Sequence, residues 1–243
     1  MLGGSMRVWK FFIALVLCSA AWCSATIAHA AERDRAVTFH AFGSYQTYDM
    51  ADVNEAMRAA LEAFPGAKAD KEKIDSGGGF GGGLRIWTSD RVFVPLEFQR
   101  LLASNSGSGP YLGQTYTVDL NVPAVGITAG VGYVLVDRRR ARLALSGGAG
   151  YYVCNGEIVT RGPGLNDHSN LEGSGFGFHG LGHVFARIVR RVDLELAGGY
   201  RYAKTTDITS GGQRIRNSDG SLAQIDWSGV TGRAGISVRV SGE

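Results

Sequence analysis

Hydrophobic and polar positions alternate with period two in eight separate stretches of the chain. In the first, Val37, Phe39, Ala41, Gly43 and Tyr45 share one face, against Thr38, His40, Phe42, Ser44 and Gln46 on the other. The second sets Phe80, Gly82, Leu84 and Ile86 against Gly81, Gly83 and Arg85, and the third sets Val92, Val94, Leu96 and Phe98 against Pro95, Glu97 and Gln99. The same alternation returns over 142–153, 176–188, 192–202 and 230–240. A 180° repeat sustained over so many segments predicts β-strands rather than helices.

The fourth stretch breaks parity. Val118, Leu120 and Val122 share one face, whereas Val125, Ile127, Val131 and Tyr133 share the other. The switch falls at Pro123-Ala124, and a β-bulge that inserts one residue there is the expected cause, since proline's missing N–H needs no partner at a bulge.

The connections alternate in length. Thr88–Arg91, Asp137–Arg142 and Val189–Val192 read as tight turns, whereas 49–76, 103–114, 155–173 and 203–225 are long and polar. Short turns at one end, long loops at the other and an even strand count predict an all-β, eight-stranded antiparallel up-and-down transmembrane β-barrel. One short helix is expected in the first long loop. Asp52-Val-Asn-Glu55 has capping-box spacing, Val53, Met57, Ala60, Leu61 and Phe64 form an apolar stripe, and Pro65-Gly66 ends it.

Composition refines this picture. Glycine makes up 36 of 243 residues, about twice the ordinary share, with 5 prolines and no collagen period. The first thirty residues carry Arg7 and Lys10, then the apolar run Phe11–Leu17, then Ala28-His29-Ala30. That is the form of a signal peptide cleaved after Ala30, which leaves 31–243 as a single barrel domain exported to the outer membrane. Losing Arg7 and Lys10 lowers the formal net charge from +3 to +1, so no broad basic field remains for nucleic acid. Cys18 and Cys23 leave with the leader, and Cys154 alone builds no disulfide framework.

Charge decides which face points inward. All four lysines beyond the leader (Lys68, Lys71, Lys73, Lys204) lie in the long loops, and the polar strand face is mostly Gly, Ser and Thr. A solvated surface normally carries about 25–35% charged residues. An arginine at mid-bilayer on the lipid face costs about 2–4 kcal/mol, which forbids that side to Arg85, Arg187, Arg201 and Arg233. The polar face is therefore expected inside. Tyr45, Tyr200 and Tyr202 are expected at one interface, and Trp87 and Tyr133 at the other.

An eight-stranded barrel is just wide enough for side chains to fill it. His40, Arg85, Arg187 and Glu195 are expected in a lower lumen layer, with Glu97, His183 and Arg233 near mid-height and Arg201 also facing in. Such charges should pair, because an unpaired buried charge is expensive. A salt-bridged plug is expected, with Glu97–Arg233 as its leading pair.

With this wiring the chain resembles the small outer-membrane barrel superfamily of the OmpA membrane domain, opacity-type proteins and OmpW. That resemblance implies outer-membrane lipid and the barrel assembly machinery as partners. Members commonly end in a signal of the form polar-x-Gly-x-x-apolar-x-apolar. Arg233-Ala-Gly235-Ile-Ser-Val238-Arg-Val240 has that spacing, but ends in valine rather than an aromatic residue and is followed by Ser241-Gly-Glu243.

Other motifs have plain structural readings. Gly175-Phe-Gly-Phe-His-Gly180 matches a dinucleotide fingerprint but lies within a strand with no following helix. His179 and His183 stand about 13 Å apart along a strand, too far to share one ion. Asp167-His168-Ser169-Asn170 is similar to the His-x-Ser-Asn arrangement of outer-membrane lipid A deacylases, yet adjacent His and Ser point oppositely on a strand. No catalytic, cofactor-binding or metal residue is assigned. The expected function is a non-enzymatic outer-membrane barrel with a structural or surface-interaction role and an unknown surface ligand. The alternatives are an OmpW-like minor channel for small or hydrophobic solutes, a lipid-modifying enzyme, and a soluble periplasmic calyx.

Overall fold

The computed structural model describes residues 36–62, 66–70, 73–111, 113–217 and 219–240. The leader with Ala28 and Ala30, Phe64 and Pro65, and 241–243 lie outside the described residues. In chain order the strands are β1 (Val37–Thr47), β2 (Lys68–Ala69), β3 (Ser76–Trp87), β4 (Val92–Leu101), β5 (Ser104–Tyr111), β6 (Gln114–Asn121) and β7 (Ala124–Asp137). There follow β8 (Ala141–Gly162), β9 (Leu165–Val189), β10 (Val192–Ser210), β11 (Gln213–Arg214), β12 (Ile225–Asp226) and β13 (Gly229–Arg239). The helix α1 covers Ala51–Glu62.

Eight of these strands close a ring. β1 pairs with β3, and the antiparallel ladder runs on through β4, β7, β8, β9, β10 and β13. β13 then pairs back onto β1, with Phe39 opposite Val238 and Ala41 opposite Ile236, so no ring strand has a free edge. The face assignment holds strand by strand. Thr38, His40 and Gln46 are buried inside β1, whereas Phe39 and Tyr45 are exposed outside. Phe80, Phe98, Ile127, Val131, Leu145, Phe176, Phe178, Leu196 and Ile236 continue an exposed apolar belt around the barrel. Tyr45, Tyr200 and Tyr202 stand exposed near its upper edge and Tyr133 near its lower edge. Trp87 departs from its expected rim position. It points inward and is buried, its indole N–H donating to Thr38 Oγ1 at 3.0 Å.

No bulge occurs at Pro123. Asn121 pairs with Glu157 and Ala124 with Cys154, so the register along β8 is unbroken across Val122-Pro123. The even-numbered residues stay inside throughout: Val118, Leu120, Val122, Ala124 and Thr128 are all buried. What changes is the surroundings of each face. After Pro123 the outer face carries Val125, Ile127 and Val131; before it the outer face carries Thr117, Asp119 and Asn121, while Val118, Leu120 and Val122 join an apolar core inside. The reversal of hydrophobicity at Pro123 marks that boundary. A register irregularity does occur in β7, lower down, between Val134 and Val136.

The expected long loops at 155–173 and 203–225 are largely strand. β8 and β9 run as one continuous hairpin to the turn at Pro163-Gly164, with pairing up to Gly162–Leu165. Gly164 there takes φ +74°, a backbone that favours glycine. The 102–123 segment forms the β5–β6 hairpin, which lies against the upper part of β8.

Candidate functional site

Two connected polar networks cross the barrel interior. In one, Glu97 on β4 accepts from Arg233 on β13 at 2.7 Å and lies 3.2 Å from His40 Nε2 on β1. The other arm of Arg233 donates to Gln99 Oε1 at 3.1 Å, and Gln99 Nε2 donates to the Tyr152 hydroxyl at 2.9 Å. The second network is centred on Glu195 of β10. Arg85 on β3 donates to both its carboxylate oxygens at 2.9 and 3.1 Å, and His183 Nδ1 lies 2.9 Å from Oε1. Ser146 Oγ of β8 stands 2.7 Å from the other ring nitrogen of His183. Aromatic rings pack around these charges. Arg85 lies over Phe93 and Phe185 at 5.1 and 4.9 Å, and Arg233 over Phe42 at 4.5 Å.

This grouping differs in three places from the expected layers. His40 joins Glu97 rather than the lower set, and His183 joins Glu195. Arg187 leaves the lumen altogether. It is exposed beside the short turn of β9–β10, its Nε 3.4 Å from Asp193. Arg142, inward on the strand pattern but absent from the expected layers, is buried against Asp193 at 2.6 Å and lies over the Trp87 ring at 5.0 Å. Near the upper rim Arg201 is fully buried and is held by neutral groups. It donates to Gln46 Oε1 at 2.7 Å and to the Trp227 carbonyl at 2.8 Å.

Above the networks the interior turns apolar. Val53, Met57 and Leu61 of α1 are buried against a cluster that includes Tyr48, Ile74, Leu101, Val118, Leu171, Ile208 and Trp227. Each such side chain contributes about 1.5–3 kcal/mol on burial, enough to hold a short helix over the barrel mouth. Polar ties fix its position. Asn54 exchanges two hydrogen bonds with the backbone of Ile74, at 2.6 and 3.1 Å. The helix begins at Ala51, and Asp52 does not act as its capping residue. Its carboxylate accepts instead from Asn217 Nδ2 at 3.0 Å and the Gln224 N–H at 2.9 Å, tying α1 to the segment between β10 and β13. Between α1 and that segment lies an apolar cleft of about 280 Å³, lined by Val53, Leu120, Ile158, Leu171, Ile208 and Ile225 among others.

The other motifs resolve structurally. Gly175–Gly180 lies inside β9, and the Tyr152 ring occupies the space that a Cβ on Gly177 would take, at 2.7 Å. His168 Nε2 lies 2.9 Å from Asn170 Oδ1, while Ser169 falls between them on the opposite face of β9. Cys154 is buried in the upper apolar cluster. Arg233, Gly235 and Val238 of the assembly-type motif lie in the closing strand β13, and Val240 follows, its N–H bonded to Val37 O at 2.8 Å.

No protein-family profile matches the chain, and no curated protein sequence does. Solved structures do match. A major outer membrane protein from Thermus thermophilus aligns at 11% identity over 84% of this chain and 99% of that one, with a TM-score of 0.52. The outer membrane protein OprG from Pseudomonas aeruginosa aligns at 12% identity over 85% and 96%, with a TM-score of 0.46. Neisserial surface protein A aligns at 14% over 84% and 96%, with a TM-score of 0.39. The Thermus thermophilus alignment shows a shared fold, the antiparallel β-barrel that the strand wiring of this chain forms.

Proposed function

We propose that this chain is an integral outer-membrane barrel without enzymatic activity, which holds a plugged lumen in the bilayer and presents its capped end at the cell surface. The carrying observation is the stacking of two closures. Glu97–Arg233 and Arg85–Glu195 span the polar interior, and the α1 cluster seals the apolar mouth above them. The exposed belt between Tyr45 and Tyr133 supports contact with lipid, because so broad an apolar surface is stable only when it is covered. The motif at Arg233, Gly235, Val238 and Val240 supports delivery by the barrel assembly machinery. The role is then a structural or surface-interaction one, carried by α1 and the β5–β6 and β8–β9 hairpins.

A second reading, handling of small hydrophobic solutes, is favoured by the apolar cleft beside α1. Fractionation of expressed protein, a heat-modifiability gel and planar-bilayer recording separate these readings. An outer-membrane band that shifts on boiling, with no conductance steps, is the expected result. Regular steps would replace the plug by a channel, and recovery in the soluble periplasm would replace the barrel by a calyx.

A further inference from the structure

The end of the barrel that carries the short turns is rich in arginine on one side. Asp137 is followed by Arg138, Arg139 and Arg140 in the β7–β8 turn, and Val189 by Arg190 and Arg191 in the β9–β10 turn. These turns lie side by side. The Arg187 N–H donates to the Arg140 carbonyl at 2.8 Å, and the Arg239 N–H to the Arg191 carbonyl at 2.8 Å. The two nearby arginines that have a partner share Asp193, which accepts from Arg142 at 2.6 Å and Arg187 at 3.4 Å. The five turn arginines are exposed, and among the described residues no carboxylate pairs with them. The remaining short turn, 88–91, offers only Asp90 and Arg91, so among the described turns the arginine cluster lies on the β7–β10 side.

Five like charges crowded on two adjoining turns repel one another unless an anion lies among them. Their place in the fold points to the anion. Leu135 and Val136 lie just before Arg138, and Ile188 and Val189 just before Arg190, and all four belong to the exposed apolar belt. The arginines therefore sit at its margin, the level at which a bilayer presents its headgroups. Guanidinium groups match phosphate with two parallel hydrogen bonds. We propose that Arg138, Arg139, Arg140, Arg190 and Arg191 form a binding surface for the phosphate headgroups of anionic phospholipids in the leaflet that meets the short turns. This rests on the reading that the belt lies in a bilayer.

The test uses the barrel folded into vesicles of phosphatidylcholine alone and of phosphatidylcholine with a minority of phosphatidylglycerol. Heat modifiability in the first reports insertion. Mass spectrometry of the lipid retained on barrels extracted from the second reports selectivity. Phosphatidylglycerol should be enriched about fivefold at low salt, the worth of one arginine at an anionic surface. The enrichment should collapse toward parity at high salt and in the variant Arg138→Gln, Arg139→Gln, Arg140→Gln, Arg190→Gln, Arg191→Gln. Arg91→Gln, on the other side, should retain it. Should the five-site variant fail to fold, the salt dependence of the unaltered chain decides. Failure to insert into phosphatidylcholine overturns the bilayer reading itself. Insertion without enrichment overturns only the lipid surface. Salt-sensitive binding of polyglutamate to the detergent-held barrel, without phosphatidylglycerol enrichment, overturns it in favour of an acidic macromolecular partner.

Discussion

Arg233 and Glu97 stand 136 positions apart in the sequence and 2.7 Å apart in the lumen, both buried. Their contact exists because β13 returns to pair with β1 and closes the ring, which sets two inward side chains from distant strands opposite each other. Removing one partner strands the other. Glu97→Ala should lower stability by about 3–5 kcal/mol, read as the urea midpoint in vesicles, whereas Glu97→Leu with Arg233→Met should restore most of that loss. Equal losses in the single and double variants would show that the charges are needed for more than each other.

The two closures act in series. Glu97→Ala combined with Glu195→Ala should leave planar bilayers free of conductance steps, because the α1 cluster still seals the mouth. Adding Val53→Ser, Met57→Ser and Leu61→Ser should be required before steps appear. Steps in the first variant would place the seal in the ion-pair networks alone.

Cys154 gives a direct readout of the cap, since it is buried in the cluster that α1 covers. In the folded barrel a maleimide should label it very slowly. Met57→Ala, at a cost of about 2–5 kcal/mol to the packing of α1, should speed labelling at least tenfold without abolishing the heat-modifiable band. Rapid labelling of the unaltered chain would mean that the cap is open.

Tyr48 donates to the Leu102 carbonyl at 3.1 Å and packs edge-on against Trp227, at 5.3 Å between ring centres. Burial pushes its hydroxyl up to about 12 from the ordinary 10.0. The folded state thus holds this proton more tightly than the unfolded one, so the contribution is complete below pH 10 and falls away as pH approaches 12. Absorbance titration near the phenolate band should show a late-ionising fraction that Tyr48→Phe reduces. An unchanged profile would mean that Tyr48 is solvated.

The end of the Phe93 ring fills the space beside the bare Cα of Gly132, where an added Cβ would collide with it. Gly132→Val should cost about 1–3 kcal/mol and lower the folding yield, and Phe93→Leu in the same chain should recover part of it. No recovery would place the strain in the β4–β7 backbone instead.

Much of the wall was legible in the sequence because a strand's two-residue period is a local property of the chain. Val37 to Tyr45 and Leu194 to Tyr202 declare their shared face from spacing alone, and charge placement tells which face is inside. The candidate site was legible only as a set of inward residues. His40 and His183 pair with carboxylates in layers other than those strand position implies, and Arg187 ends in solvent, because height in a barrel depends on strand tilt and register as well as on residue number. The inward place of Trp87 escapes the sequence for a related reason. An aromatic residue at a strand end suits an interface or the inside equally, and its indole found Thr38.

Pro123 marks the division most clearly. Spacing and charge along the chain suffice for eight alternating strands, a polar interior, the alternation of short and long connections, and a change in pattern at Pro123-Ala124. The meaning of that change comes from the assembled fold: β8 carries β6 and β7 in one register, and the wall passes from the level of the apolar belt into an apolar cap beneath α1. Alternation records that two faces meet different surroundings. What surrounds each face is fixed only when the ring closes and the long segments fold back over its mouth.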